Sequence, residues 1–168
     1  HDNVLAKQAG CGRTPWHFDD HHFPLDTNDV VTAWIPAQPT PIEMGPLSFA
    51  YPIDVHKLVT AVKFEKKGAG YDKGVAEVFS KNGVTINETP FDLGEVSFHH
   101  NLNFHTASLN GTNRSRVALA NTYYKDGARV INSPTMVSGD WQKFMPNVKP
   151  GDIAASPLNP ICWPVDDK

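Results

Sequence analysis

Cysteine is scarce in this chain: among 168 residues only Cys11 and Cys162 occur. That excludes a disulfide-dense scaffold and a cysteine-based zinc site while permitting one bridge, and both residues are expected as reduced thiols. Long hydrophobic runs are missing too. No apolar stretch approaches the ~20 residues needed to cross a bilayer, so no membrane partner is expected. Positive charge is not in surplus either: 15 Lys and Arg against 18 Asp and Glu leave a formal net charge of -3. The basic residues form no stripe, which argues against a nucleic-acid partner. No P-loop, Gly-x-Gly-x-x-Gly or Gly-x-Ser-x-Gly pattern is present, so nucleotide binding and nucleophile-elbow hydrolysis lack a motif. The chain opens at His1 with neither an initiator Met nor a signal-like segment. Two expectations follow, a start inside a longer polypeptide and a cytoplasmic location. Without a secretory signal, the sequons at Asn87, Asn110 and Asn113 read as chance matches. Oligomeric state is not legible.

What is present is the composition of a soluble domain, with 40% hydrophobic and 20% charged residues. The length suits a single domain spanning residues 1–168. With 14 Pro and 12 Gly distributed throughout, few stretches could hold a long helix. Short β-rich runs bounded by turn residues are favoured instead. Strands are expected at Val4–Gln8, Trp16–Asp19, Val30–Ile35, Gly45–Tyr51, Val84–Asn87, Glu95–His99, His105–Leu109 and Arg116–Tyr124. Their spacing of about ten residues suggests a sandwich or barrel. Between them, Asp54–Lys67 has helical spacing at Val55, Leu58, Val59 and Val62 with Asp54 as N-cap, whereas 68–83 reads as a Gly- and Lys-rich surface excursion. From Ile131 onward, six prolines interleaved with Trp141, Phe144 and Trp163 predict a tail (131–168) that wraps the surface, pinned by its aromatics, with a short helix near Trp141–Met145.

The chemistry concentrates in Thr14-Pro-Trp-His-Phe-Asp-Asp-His-His-Phe23. If Trp16–Asp19 is a strand, His17 and Asp19 share a face and form a two-ligand edge. Alone, such a pair also fits a surface turn. A second cluster, Ser97-Phe-His-His-Asn-Leu-Asn-Phe-His105, offers a third ligand from a distant strand, as a facial triad of two imidazoles and one carboxylate requires. His99, His100 and His105 are all candidates, and each could equally be a polar strand-end residue. His105 is favoured because an Asn110-Gly111 hairpin-like turn would return the chain beside it and place Arg116 on the neighbouring strand. A guanidinium directed into an apolar strand needs an anionic partner. A zinc hydrolase site built from His17, His21 or His22 and a carboxylate is a chemically possible alternative.

Together, His17-x-Asp19, the distant His105 and Arg116 resemble the phytanoyl-CoA dioxygenase-like family of iron(II)- and 2-oxoglutarate-dependent oxygenases. The resemblance extends in order through Leu5-Ala-Lys7, Pro15-Trp-His-Phe-Asp-Asp20, Val31-Thr-Ala-Trp-Ile35, Gly45-Pro-Leu47, Gly94-Glu-Val-Ser-Phe-His-His100 and Asn159-Pro-Ile-Cys-Trp163. It implies a mainly-β, cupin-like double-stranded β-helix (jelly roll) with short helices. It also implies that His17, Asp19 and His105 ligate Fe(II), that Arg116 pairs with the distal carboxylate of 2-oxoglutarate, and that Trp34 lies near that cosubstrate. The implied reaction consumes O2, releases succinate and CO2, and hydroxylates a C–H bond of a small-molecule substrate. Retention of Asp19 favours hydroxylation over halogenation, because related halogenases replace the carboxylate. Two departures stand out: Phe18 where Gln is common, and Ala107 where a small hydroxyl residue often helps hold 2-oxoglutarate. The family's N-terminal region is largely absent, which keeps open a non-catalytic jelly-roll binding module. His21, His22, His99 and His100 have no assigned role and could line the mouth.

Overall fold

The computed structural model describes residues 2–65, 69–132 and 140–163. Eight strands are formed: β1 (Asp2–Lys7), β2 (Thr14–His17), β3 (Val30–Pro36), β4 (Leu47–Tyr51), β5 (Thr85–Glu88), β6 (Ser97–His100), β7 (His105–Ala107) and β8 (Arg116–Tyr124). They make two antiparallel four-stranded sheets, ordered β1-β8-β3-β6 and β2-β7-β4-β5, the jelly-roll arrangement expected. The β-branched and apolar runs Val30–Ile35 and Val117–Ala120 form the centre of the first sheet, where β3 and β8 pair along seven residues from Val30↔Tyr124 to Pro36↔Ala118.

Alternation along these strands separates two faces. Trp34, Ala118 and Ala120 point inward and meet Leu47, Phe49 and Ala107 of the second sheet, with Phe91 closing the cluster. The opposite face of the first sheet is exposed, with Val4 74% accessible beside Leu119 and Phe98 67% accessible beside Ala33.

The outer face of the second sheet is covered by a helix where a surface excursion was expected. Helix α1 (Gly70–Asn82) buries Tyr71, Val75 and Phe79, one residue per turn. Gly70, Gly74 and the lysines masked this stripe in the sequence; tertiary burial overrides the weak propensity of Gly74. Phe79 meets Trp16 edge-on at 5.2 Å, Trp16 stacks on Phe104 at 5.6 Å, and the Tyr71 hydroxyl donates to the Trp16 carbonyl at 2.9 Å. Asp54–Lys67, expected to hold a helical turn, has a 3-10 turn at Ile53–Lys57 that inserts Val55 into the same cluster, but Asp54 is not its cap. Lys66, Lys67 and Gly68 lie outside the described residues, as do Pro134, Pro164 and His1.

The tail packs through Trp141 and Met145 against Leu25, Val30, Val130 and Ala154. A 3-10 turn at Trp141–Lys143 carries the first anchor. Trp163 does not act as a pin, being 83% exposed. Cys11 and Cys162 are both exposed free thiols. Asn110 is fully buried, so its sequon is structural.

Candidate metal centre and cosubstrate pocket

Local geometry departs from expectation at two points. Strand β2 ends at His17, so His17 and Asp19 do not share a strand face. The chain leaves the ladder through a register shift between Thr14 and His17, and Asp19 adopts a helical backbone (φ -88°, ψ -8°). A turn, held by the Asp19 amide donating to the Asn101 carbonyl at 2.8 Å, brings its carboxylate back beside the imidazole. Nor is Asn110-Gly111 a hairpin: β7 and β8 belong to opposite sheets. The connection crosses between the sheets around Asn110, whose amide donates to the carbonyls of Lys7, Gln8 and Arg114 while its oxygen accepts from the Thr112 amide and hydroxyl. Arg116 and His105 therefore converge from facing sheets onto the same space.

That space is a cavity of about 540 Å³ between the sheets. At one end His17, Asp19 and His105 present one ligand atom each, all within 4.8 Å of one another. The register pairs His17 with His105 across β2 and β7. His17 Nδ1 donates to the Pro15 carbonyl at 2.8 Å, and His105 Nδ1 to the Asn103 carbonyl at 2.9 Å. Each contact places the ring proton on Nδ1 and leaves the Nε2 lone pair facing Asp19. Asp19 Oδ1 lies 3.5 Å from His17 Nε2 and 3.9 Å from His105 Nε2.

Burial pushes His105 down to about 3, helped by the neighbouring His17 and partly offset by Asp19, so its imidazole is neutral at ordinary pH. Burial opposes ionisation of Asp19, but the His99 contact and the charges of His105 and His17 outweigh it and hold the carboxyl well below the usual carboxylate range. A carboxylate with two imidazole nitrogens suits a divalent ion of borderline softness.

The other end is cationic. Arg116 is buried, its Nη1 donates to the Gly45 carbonyl at 2.5 Å, and its guanidinium carbon lies 5.3 Å from the Trp34 ring centre. Arg114, two residues earlier, is exposed. Gly45 has φ +70°, and a Cβ there would meet the Ser108 carbonyl oxygen at 2.3 Å, so only glycine permits this approach. Arg116 Nε and Trp34 Nε1 are buried and have no hydrogen-bond partner among the described residues. Buried donors of this kind are costly unless something fills them.

Sequence reasoning assigned no role to two buried residues of this cavity. Lys7, in register with Arg116, donates through Nζ to the carbonyls of Ala107 and Ser108. Burial lowers it to about 8, with the Arg116 charge adding to the effect and Cys11 opposing it. His99 is in register with Thr32, which lines the same cavity, and its Nε2 lies 3.7 Å from Asp19 Oδ2. Inward alternation along β6 was the available signal, but the strand's exact register was needed to read it. Of the other unassigned histidines, His22 lines the cavity, whereas His21 packs on Phe18 and His100 Nδ1 accepts from the Leu102 amide. Phe18 lies between His21 and His56, away from the ligand atoms.

No family model matches this chain, and no curated protein does. Solved structures do. The 2-oxoglutarate-dependent non-heme carbocyclase SnoK from nogalamycin biosynthesis is 23% identical, with a TM-score of 0.70 over 94% of this chain and 58% of its own. The epimerase SnoN, solved with Fe3+, 2-oxoglutarate and nogalamycin RO, is 22% identical, with a TM-score of 0.66 over 94% of this chain and 61% of its own. The non-heme monooxygenase ThoJ is 20% identical, with a TM-score of 0.56 over 83% of this chain and 52% of its own. This chain shares their fold. It spans between about half and three fifths of their lengths. Among the described residues, no helix is long and apolar enough to cross a membrane.

Proposed function

We propose that this protein is an iron(II)- and 2-oxoglutarate-dependent oxygenase of the phytanoyl-CoA dioxygenase-like kind, hydroxylating a C–H bond of a small organic substrate. The observation that carries this reading is one cavity with a donor set of two histidines and one carboxylate at one end and a buried guanidinium with an unfilled donor at the other. His17, Asp19 and His105 would hold the metal on one face, leaving the opposite positions for ligands. A dicarboxylic acid fits the remaining chemistry. Its far carboxylate would accept from Arg116 Nε, with Trp34 Nε1 as a further donor and Lys7 as a second cation. Lys7 would also supply the polar contact missing at Ala107.

Bound iron(II), with 2-oxoglutarate and O2, supplies an oxidation in which the cosubstrate leaves as succinate and CO2 while the substrate gains oxygen. The chain's own residues orient and enclose. The Pro15 and Asn103 carbonyls fix the two imidazoles, and burial keeps His105 unprotonated and available. Phe23, Thr32, Thr122 and Phe144 line the cavity beyond the donor set, where a substrate would lie.

The test is anaerobic addition of iron(II) and 2-oxoglutarate, with a visible charge-transfer band expected for the wild-type protein and lost in His105→Ala. A folded protein without the band would overturn the reading. Succinate release on admitting O2 would separate an active oxygenase from a jelly-roll module that only binds. Label from 18O2 in the product would then distinguish hydroxylation from the cyclisation and epimerisation named for SnoK and SnoN.

A further inference from the structure

His99 is buried in the cavity wall beside the donor set, yet it is wired differently from His17 and His105. Those two each commit Nδ1 to a backbone carbonyl, so Nε2 carries the lone pair. Among the described residues, the buried His99 Nδ1 has no hydrogen-bond partner. A neutral imidazole whose Nδ1 donates to nothing is free to carry its proton on Nε2, which faces the carboxylate of Asp19. In that tautomer His99 is a donor and has no lone pair to offer an ion from that side.

The two oxygens of Asp19 are also divided. Oδ1 faces both His17 and His105, whereas Oδ2 faces His99 at 3.7 Å, a separation that closes to a hydrogen bond with a shift of under about 1 Å. The backbone of the same residue is held by the next turn of the same segment: the Asp19 amide donates to the Asn101 carbonyl, and the Asn101 side chain donates to Asp20 Oδ1 at 3.0 Å. Asn101 in turn is tied to the first sheet through its amide and the Val30 carbonyl at 3.0 Å. The end of β6 thus holds the Asp19 main chain through Asn101 and sets His99 facing its side chain.

We propose that His99 is a positioning residue that engages Asp19 Oδ2, keeping the carboxylate a one-oxygen ligand through Oδ1. This rests on the metal-site reading above. A carboxylate free to swing both oxygens onto the ion would occupy a coordination position that the cosubstrate or O2 requires. Outer partners of this type typically contribute 10- to 100-fold in metal affinity.

The experiment titrates cobalt(II) alone into the wild-type protein, His99→Leu, His99→Gln and His105→Ala, following affinity and the visible cobalt bands that report coordination geometry. His99→Leu is expected to bind roughly 10- to 100-fold more weakly with altered bands, and His99→Gln, which keeps an N–H donor, to recover most of both. Wild-type affinity and bands in His99→Leu would overturn the proposal. So would losses in His99→Leu and His99→Gln as large as in His105→Ala, which would make His99 a ligand itself. Should the leucine variant fail to fold, His99→Asn replaces it: the amide is withdrawn by one methylene, so Gln must bind tighter than Asn, and equal affinities would overturn the role. Failure of the wild-type protein to bind cobalt would overturn the metal-site reading and this inference with it, whereas the other outcomes overturn the inference alone.

Discussion

The guanidinium of Arg116 lies over the Trp34 ring, its carbon 5.3 Å from the ring centre. Both side chains leave a buried N–H without a partner among the described residues. Arg116→Ala is therefore expected to weaken 2-oxoglutarate by roughly 10- to 100-fold, the worth of a charge-assisted hydrogen bond. Metal affinity should hardly change, because the guanidinium does not touch the donor set. Calorimetric titration with a redox-inert divalent metal separates the two, and unchanged cosubstrate affinity would rule the role out.

Lys7 is expected to make 2-oxoglutarate binding pH-dependent. Its ordinary pKa of 10.5 is lowered to about 8 by burial, by Arg116 and against the opposing effect of Cys11. The ammonium is charged below that value and neutral above it. A dianion should bind best below about pH 8 and lose roughly tenfold as the pH rises through it. In Lys7→Gln that step should vanish; a step of the same size in the variant would assign it to another group.

Acid should destabilise the metal-free protein before the carboxylates titrate. In the folded state His105 is pushed down to about 3 from an ordinary 6.5, so between those values the unfolded chain binds the extra proton. Stability is then highest above about pH 6.5 and falls as the pH drops toward 3, with a limiting slope of about 1.4 kcal/mol per pH unit. Asp19 acts in the same direction lower down: its folded pKa lies below the ordinary 3.8, so its stabilisation is lost as the pH falls through and below that value. Urea unfolding across this range, compared with His105→Leu, checks the first part. A wild-type slope no steeper than the variant's would refute it.

Helix α1 should contribute to global stability. Phe79 is buried against Trp16 and Phe104. Phe79→Ala is expected to cost about 3–5 kcal/mol through lost burial and the cavity left behind, measured by denaturant unfolding. A loss under about 1 kcal/mol would show that the helix is a detachable cover.

Much of the fold was legible because the strands are local patterns. Arg116–Tyr124 and Val30–Ile35 alternate or branch as half-buried strands must, and the structure forms both with ends within one residue of expectation. Helix α1 was hidden because two glycines and two lysines dilute a three-residue apolar stripe whose burial depends on a remote tryptophan.

The available chemistries are legible in the residues alone: a His-x-Asp pair, three further histidines within seven residues, and an arginine opening an apolar strand. Side-chain type and strand periodicity are properties of neighbouring residues. How those groups are divided is set by long-range packing. Whether His99, His100 or His105 faces Asp19 depends on the register of β6 and β7 in two different sheets, because a one-residue slip reverses every side chain. The convergence of Arg116 and His105 depends on a crossover around Asn110 rather than a hairpin. The partition of the Asp19 oxygens arises from a turn beyond the end of β2. Each of these is set by contacts between segments far apart in the chain, which local pattern cannot encode.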